Sequence, residues 1–272
     1  MQKKMLAYRY DGSFEGFLCC VFDSFYRREL PAAILTDETP QGTLYPERWV
    51  DTDKRHAERV YNSFRSKISP AAAAFIAEAF LSCQPQKEQL LLRFIRLGYR
   101  YRGAVLNCLA DDTVNTLTKA VKFLNNEAHL FKEFLRFSEQ NGTLAAIIEP
   151  KNRVLPLLAG HFCSRYPEER FLIFDSTHRE ALVYQPYEPV ILPLEDFSLP
   201  RPEEQEARFR ALWKRFYDSV AVEGRYNPKC RMGHMPKRYW GNMTEFQPDA
   251  SFERPSPTFQ QIIAAQKLPA GE

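Results

Sequence analysis

Apolar residues recur at helical spacing through the middle of the chain. The pattern predicts helices over 54–68, 70–82, 86–101 and 112–138. In the last of these, apolar residues follow one another at steps of three and four from Val114 to Leu135, and further phenylalanines widen the stripe. A stripe of this width is typical of a helix packed into a core, which is a better interpretation than a cofactor-binding box. We therefore predict a helical block at about residues 51–140.

Shorter elements flank this block. Before it, the pattern predicts a strand over 4–10, Ser13 as the N-cap of a helix over 14–28, and a strand near Trp49. After the Asn141-Gly142 turn, it predicts helices over 153–166 and 203–222 and strands over 143–149, 170–175, 180–185 and 190–194. The strands over 170–175 and 180–185 are predicted to form a hairpin.

Helices and strands are segregated along the chain rather than alternating. This order predicts an α+β fold, with the helical block flanked by a small α/β part and a short antiparallel sheet. We predict a single compact domain over 1–246, in which a strand-rich part covers about 141–200 and a C-terminal helix and motif cover 201–246. Residues 247–272 are rich in Pro, Ser and Gln and are predicted to be a loosely ordered tail.

Composition and missing motifs exclude several classes of protein. The chain has 272 residues, 44% of them hydrophobic, which argues against disorder, and a net charge of only +3, which argues against a uniformly basic coat protein. It contains no run of 18 apolar residues, no signal peptide pattern and no CxxC among its six cysteines, so we expect a reduced, cytoplasmic protein with no membrane segment. Because no dinucleotide, P-loop, HExxH or G-x-S-x-G motif occurs, we predict no cofactor and no metal site.

The small net charge conceals two basic segments. Residues 48–102 contain 11 Lys and Arg against 5 Asp and Glu, a balance of about +6, and residues 207–240 contain 9 against 2, about +7. In the first segment, Arg93, Arg96 and Arg100 share one face of a predicted helix. Guanidinium rows of this kind suit phosphate oxygens, although a solvated face paired with nearby acids explains the spacing equally well.

The second basic segment interleaves cations with aromatic and amide side chains. Basic, aromatic and amide groups together suit binding of a single strand or a flipped base. The alternative is a C-terminal clasp, with the aromatic rings buried and the cations in solvent. The candidate nucleic-acid-binding residues here are Asn227, Lys229, Lys237, Arg238, Tyr239, Trp240 and Asn242.

A third group of residues could carry acid–base chemistry. His161 and Arg165 share a helix face, while Asp175 and His178 fall at the end of a predicted strand. A carboxylate beside a histidine can orient the imidazole for proton transfer. The same residues also form ordinary turns. His161, Asp175 and His178 are therefore weak catalytic candidates.

The C-terminal strings Tyr226-Asn227-Pro228-Lys229 and Met235-Pro236-Lys237-Arg238-Tyr239-Trp240-Gly241-Asn242 resemble the closing motif of a bacterial family described only as a "probable DNA metabolism protein". Residues 10–17, 93–106 and 152–165 are also similar to that family. The resemblance implies a partner of a radical-SAM protein with a helix-hairpin-helix element, and a relationship to domains fused to uracil-DNA-glycosylase-like domains. It implies no catalytic residue, and it gives little support to a role for Cys230 or Arg231.

Residues and resemblance together predict a nucleic-acid-binding accessory protein in DNA repair or base modification. It would bind single-stranded or damaged DNA, and its radical-SAM partner would supply the iron–sulfur chemistry for which this chain lacks the cysteine spacing. One alternative is that the chain is itself a DNA-acting enzyme, a glycosylase or hydrolase. Another is a pure protein–protein adaptor.

Overall fold

The protein combines helices with two separate β-sheets, which confirms the predicted α+β class. The computed structural model describes residues 6–36, 43–199, 204–222, 224 and 227–246. The chain divides into two compact units, residues 1–124 and 125–272. The single domain over 1–246 stays a prediction, and the predicted tail over 247–272 lies outside the described residues.

A three-stranded parallel sheet opens the first unit. Strand β1 (Ala7–Tyr10) lies between β2 (Ala33–Thr36) and β3 (Glu47–Trp49). The strand predicted near Trp49 is confirmed, whereas the pattern predicts no strand at β2. Four residues between Pro31 and a further loop are too few to establish an alternating pattern.

The turn between β1 and helix α1 (Phe14–Tyr26) depends on two glycines. The Asp11 carboxylate accepts hydrogen bonds from the Ser13 amide at 2.9 Å and from the Thr52 hydroxyl at 2.7 Å. The Ser13 hydroxyl accepts from the Gly16 amide at 2.9 Å, which confirms Ser13 as the N-cap. Gly12 has φ of +80°, and a Cβ on Gly16 would lie 2.3 Å from Asp11 Oδ1, so this turn requires glycine at both positions.

Four further helices follow, close to their predicted positions. They pack around buried aromatic side chains of the first unit, among them Tyr10, Phe17 and Phe94. The last helix runs only to Phe134, so the predicted extension to 138 is wrong, because Ser138 begins a strand. The elements are α2 (Lys54–Ser63) with a π-helical turn (Phe64–Ile68), α3 (Pro70–Leu81), α4 (Lys87–Tyr101) with a 3-10 turn (Arg102–Asn107), and α5 (Asp112–Phe134).

A five-stranded sheet forms the centre of the second unit. Its strands lie in chain order, and the predicted hairpin is confirmed as β6 and β7. Strands β5 and β6 are parallel and are connected through helix α6 (Leu155–Arg165), whereas the other pairs are antiparallel. The strands are β4 (Ser138–Gln140), β5 (Thr143–Ile148), β6 (Phe171–Asp175), β7 (Glu180–Gln185) and β8 (Glu188–Pro193).

Strand β8 forms one edge of this sheet and carries two prolines, Pro189 and Pro193. Directly after it, the Leu194 amide donates to the Arg179 carbonyl at 2.9 Å, which extends the pairing with β7.

Helical elements close the described chain. The C-terminal motif contains a short helix that the apolar pattern does not predict, α8 (Pro228–His234), and the Asn227 side chain caps its first turn. None of the helices in the described ranges is long and apolar enough to cross a membrane. The elements are α7 (Glu204–Ser219), α8, and two 3-10 turns (Lys237–Asn242 and Thr244–Phe246).

Candidate nucleic-acid interface

The middle arginine of the α4 row turns towards the protein interior. Arg96 donates to the Ser24 hydroxyl at 2.8 Å and to the Glu29 carbonyl at 3.1 Å, and its guanidinium lies 4.7 Å from the centre of the Phe25 ring. Desolvation lowers the pKa of Arg96 below its ordinary value. Its Nη2 therefore donates to protein atoms, and its Nε is buried, so neither atom is presented to solvent.

The other two arginines of this row are exposed. Arg93 lies on the surface of α4, and Arg100 lies with its guanidinium 5.2 Å from the centre of the neighbouring Tyr101 ring. Both cations are therefore open to an anionic partner. The common phosphate-binding role of Arg93, Arg96 and Arg100 stays a prediction.

A buried carboxylate organises the C-terminal motif. The Glu127 side chain on α5 is fully buried and accepts from the backbone amides of Lys151 at 3.0 Å and Asn152 at 2.9 Å. It also accepts from the Asn152 side-chain amide at 2.5 Å and forms an ion pair with Arg238. Glu127 thus ties α5 to the loop after β5 and to the motif, although the sequence gives no signal for this role.

Two motif residues, Arg238 and Tyr239, bind inside the protein beside Glu127. Arg238 donates to both Glu127 and the Tyr239 hydroxyl. The Tyr239 ring is buried against Phe131 and Phe134, with ring centres 4.9 and 5.9 Å away. The buried ring of Tyr239 favours the clasp interpretation, whereas Arg238 binds Glu127 instead of lying in solvent as that interpretation expects. The role of both residues in binding nucleic acid stays a prediction.

The remaining motif residues lie nearer the surface. Trp240 donates to the Met235 carbonyl at 3.0 Å and stacks on Phe246 at 4.5 Å, which leaves it partly buried. Lys229 and Lys237 are exposed, and Lys237 lies 5.8 Å from the centre of the Trp240 ring. The Asn227 side chain accepts from the Cys230 amide, while the side chain of Asn242 lies outside the described part of the structure.

The structure brings Asp175 and His178 together. His178 Nδ1 lies 2.6 Å from Asp175 Oδ2, and the other carboxylate oxygen accepts from the backbone amides of Thr177 and His178. Asp175 is fully buried and ends β6, beside the end of the parallel strand β5. The carboxyl ends of parallel strands are a common place for a ligand, so this pair has the geometry of an oriented imidazole.

His161 is not part of that pair. It is exposed on α6, with its ring 4.9 Å from the Phe162 ring, and no hydrogen bond joins it to Asp175 or His178 among the residues described. Partial desolvation, with the charges of Lys132 and Arg165, lowers the pKa of His161. The three candidate catalytic residues therefore do not form one cluster through direct contacts.

Helix α7 exposes apolar side chains that are expected to be buried. Phe209 and Phe216 are 59% and 54% exposed, and Leu212 and Trp213 on the same helical face are also exposed, as is Val220 directly after the helix end. We call these five residues the α7 face. The sequence predicts the helix but not this exposure, because an apolar stripe ordinarily marks the side that packs into a core.

Two arginines flank the α7 face, and a different side of the helix anchors it. Arg208 and Arg215 are exposed, seven residues apart and so on one flank, and no hydrogen bond or ion pair engages them among the described residues. On the anchored side, Tyr217 packs on Phe246 at 5.6 Å. Trp213, at the border between this side and the α7 face, donates its indole N–H to Glu245 at 3.0 Å. The helix therefore presents aromatic rings and cations together on a held surface.

Comparison with known proteins identifies a family but no activity. A family model described as "Domain of unknown function (DUF4130)" matches residues 85–245, which is more than half of the chain. No curated protein and no solved structure matches the chain. Within the described ranges, no group of three or more His, Cys, Asp and Glu side chains could hold a metal ion.

Proposed function

Because the chain belongs to the DUF4130 family, whose description carries no activity, we propose its function from the surface itself: the α7 face binds single-stranded nucleic acid. Phe209, Trp213 and Phe216 offer open rings on which unpaired bases can stack. Arg208 and Arg215 on the adjacent flank offer donors for the phosphates that follow those bases. This pairing of exposed rings with unengaged cations is the observation that carries the proposal.

The C-terminal motif has a supporting role in this proposal. Arg238 and Tyr239 hold the motif on α5, and Glu245 and Phe246 at its end hold α7 through Trp213 and Tyr217. Lys229 and Lys237 remain exposed and extend the positive charge of the same unit. The motif therefore positions the binding surface, and its two lysines add to the attraction of a polyanion.

The resemblance to the bacterial "probable DNA metabolism protein" family supplies the biological setting of the proposal. In that setting the chain is an accessory protein in DNA repair or base modification, which holds single-stranded or damaged DNA for a radical-SAM partner. The partner carries the iron–sulfur chemistry. The α7 face is then the surface that distinguishes an unpaired strand from a duplex, because duplex bases are stacked on one another.

A salt series tests the proposal. Binding of a fluorescein-labelled oligothymidylate is followed by anisotropy for the full chain and for Arg208→Gln/Arg215→Gln. Each single-strand phosphate contact contributes about 0.7 to the slope of log K against log salt, so we expect the slope to fall by about 1.4. Phe216→Ala should weaken binding by roughly 5- to 150-fold, which corresponds to the loss of about 1–3 kcal/mol of base stacking.

Matched controls come from the same unit. Tyr187→Ala removes an aromatic ring that is 74% exposed outside the α7 face, and Arg179→Gln removes an exposed cation after β6. Neither change should alter the affinity. The proposal is wrong if the chain does not bind the single strand at low salt, or if the controls weaken binding as much as the α7 variants do. Binding of a protein partner that is lost in Phe216→Ala, without any binding of DNA, would favour the adaptor instead.

A DNA-acting enzyme is a second candidate, favoured by the buried Asp175 that orients His178. Its test is the incubation of the chain with damaged-base oligonucleotides, with and without divalent metal. Turnover that is lost in both His178→Gln and Asp175→Asn, with oligonucleotide binding retained, would support this candidate. Absence of turnover on every substrate would count against this candidate.

A further inference from the structure

A cleft of about 500 Å³ opens in the first unit between α1, α2 and α4. This volume falls within the range of small-molecule sites. Its walls come from Phe22, Phe25 and Tyr26 on α1 and from Tyr99 on α4, and two cations on α2 and the π-helical turn complete it. No carboxylate is found among the described residues that line it.

The aromatic wall presents open ring surface. Tyr26 is 75% exposed and stacks almost parallel on Phe22, with ring centres 5.7 Å apart and planes inclined by 11°. Phe25 is partly exposed and meets the Tyr99 ring edge to face at 5.3 Å. Flat rings ordered by one another in this way suit a planar aromatic ligand, which can extend an existing stack.

The polar side of the cleft is positively charged. Arg59 and Lys67 both line it and are exposed, and neither makes a hydrogen bond or ion pair among the residues that the structure describes. Ser63, one turn from each of them, shares a hydrogen bond of 2.5 Å with the Tyr99 hydroxyl. The π-helical turn that begins at Phe64 carries Lys67, and such turns often occur at functional sites.

We propose that this cleft binds a nucleobase that carries a phosphate. The base would extend the stack at Tyr26, the phosphate would take its hydrogen bonds from Arg59 and Lys67, and the Ser63–Tyr99 hydroxyl pair would lie between the two. Two unengaged cations beside stacked rings match the two parts of a mononucleotide, which are a dianion and a flat π-system. The cleft is formed entirely within the first unit, and the proposal does not depend on the α7 face.

Isothermal titration of the full chain with a deoxynucleoside 5′-monophosphate tests the proposal. The matched arms are the nucleoside alone, inorganic phosphate alone, and a short single strand with a 5′-phosphate. We expect the monophosphate to bind at least tenfold more tightly than either separate part. Because the α7 face is itself proposed to bind single strands, the strand arm uses the Phe216→Ala variant. Tighter binding of the 5′-phosphorylated strand than of the same strand without the phosphate, with no binding of the free monophosphate, would identify a strand end as the source of the same chemistry.

Variants assign that binding to the cleft. Arg59→Gln and Lys67→Gln should each weaken monophosphate binding by about tenfold or more, since each removes a charged hydrogen bond. Tyr26→Ala should weaken it by roughly fivefold or more through the loss of stacking. Arg65→Gln is the control, because Arg65 is an exposed cation of the same π-helical turn that does not line the cleft.

Each result decides the proposal. It is overturned if neither the monophosphate nor the 5′-phosphorylated strand binds, if inorganic phosphate binds as tightly as the monophosphate, or if Arg65→Gln has the effect of Arg59→Gln. A thermal melt of every variant shows that the unit is folded, and Tyr26 in particular is too exposed to contribute much to the core. Loss of the α7 face by Phe216→Ala should leave monophosphate binding unchanged, which separates the failure of one proposal from the failure of the other.

Discussion

Replacing Arg238 with methionine would leave the Glu127 carboxylate without its cationic partner. Glu127 is fully buried, and the other donors to it in the described structure are neutral amides of Lys151 and Asn152. Breaking a buried ion pair costs about 3–5 kcal/mol. The Arg238 side chain is 36% exposed, so solvent screens part of the interaction, and we expect the variant to lose about 2–3 kcal/mol of unfolding free energy.

A second variant isolates the charge. In a Glu127→Gln background no carboxylate remains beside Arg238, so Arg238→Met should cost only the packing of the arginine stem and its hydrogen bond to the Tyr239 hydroxyl, together about 1 kcal/mol. The double-mutant cycle should therefore give a coupling energy of about 1–2 kcal/mol. Equal losses from Arg238→Met in the two backgrounds would refute the reasoning.

Urea denaturation followed by tryptophan fluorescence measures this coupling. Trp213 and Trp240 both belong to the unit that contains the clasp, whereas Trp49 belongs to the other. Trp49→Phe in all four proteins of the cycle confines the signal to the second unit. A change in the slope of unfolding free energy against urea, without a change in the midpoint, would show that the variant alters how compact the denatured or native state is, and not the stability.

Three further predictions concern stability. Gly16→Ala should lower the unfolding free energy by at least about 1 kcal/mol despite its gain in helix propensity, because the new Cβ would lie 2.3 Å from Asp11 Oδ1; a stabilised variant in urea denaturation would contradict this. The hydrogen bond from Arg48 lowers the pKa of Glu29, so the ionised Glu29 stabilises the fold at pH values above its ordinary pKa of 4.5, and this stabilisation is lost as the pH falls through the lowered pKa. Glu29→Gln should therefore make the fall in stability below pH 4.5 less steep, by less than about 1 kcal/mol, when thermal stability is measured across an acid titration. Phe216→Ala should change stability by no more than about 0.5 kcal/mol, because its ring is exposed, and a larger loss would show that the α7 face is packed.

Long periodic elements were predictable from the sequence, and short ones were predictable only in part. The stripe in α5 gives the helix and most of its length, because every turn repeats the same signal. Strand β2 and helix α8 have four and seven residues, which are too few for a period to be recognised. The extension of α5 to 138 failed because the apolar residues after Phe134 continue the pattern into the approach to β4.

The residue types of the candidate site were predictable from the sequence, but the burial of each side chain was not. Periodicity places Arg93, Arg96 and Arg100 on one helix face, yet the middle one meets Ser24 on α1, which lies 72 residues away in the chain. In the same way, the partner of Arg238 is 111 residues distant, and no local pattern identifies it. Such distant neighbours decide whether a cation faces solvent or forms hydrogen bonds inside the protein.

The edge strand β8 has a consequence for how the second unit behaves at high concentration. The backbone N–H of Leu194 points to β7. Because successive residues of a strand point their backbone groups alternately to the two sides, the backbone nitrogens of Pro189, Ile191 and Pro193 face away from β7, along the free edge. Two of these three positions are proline and have no N–H to offer. A strand from another molecule would therefore find a single donor along β8, which protects this edge of the sheet against the addition of strands from neighbouring molecules.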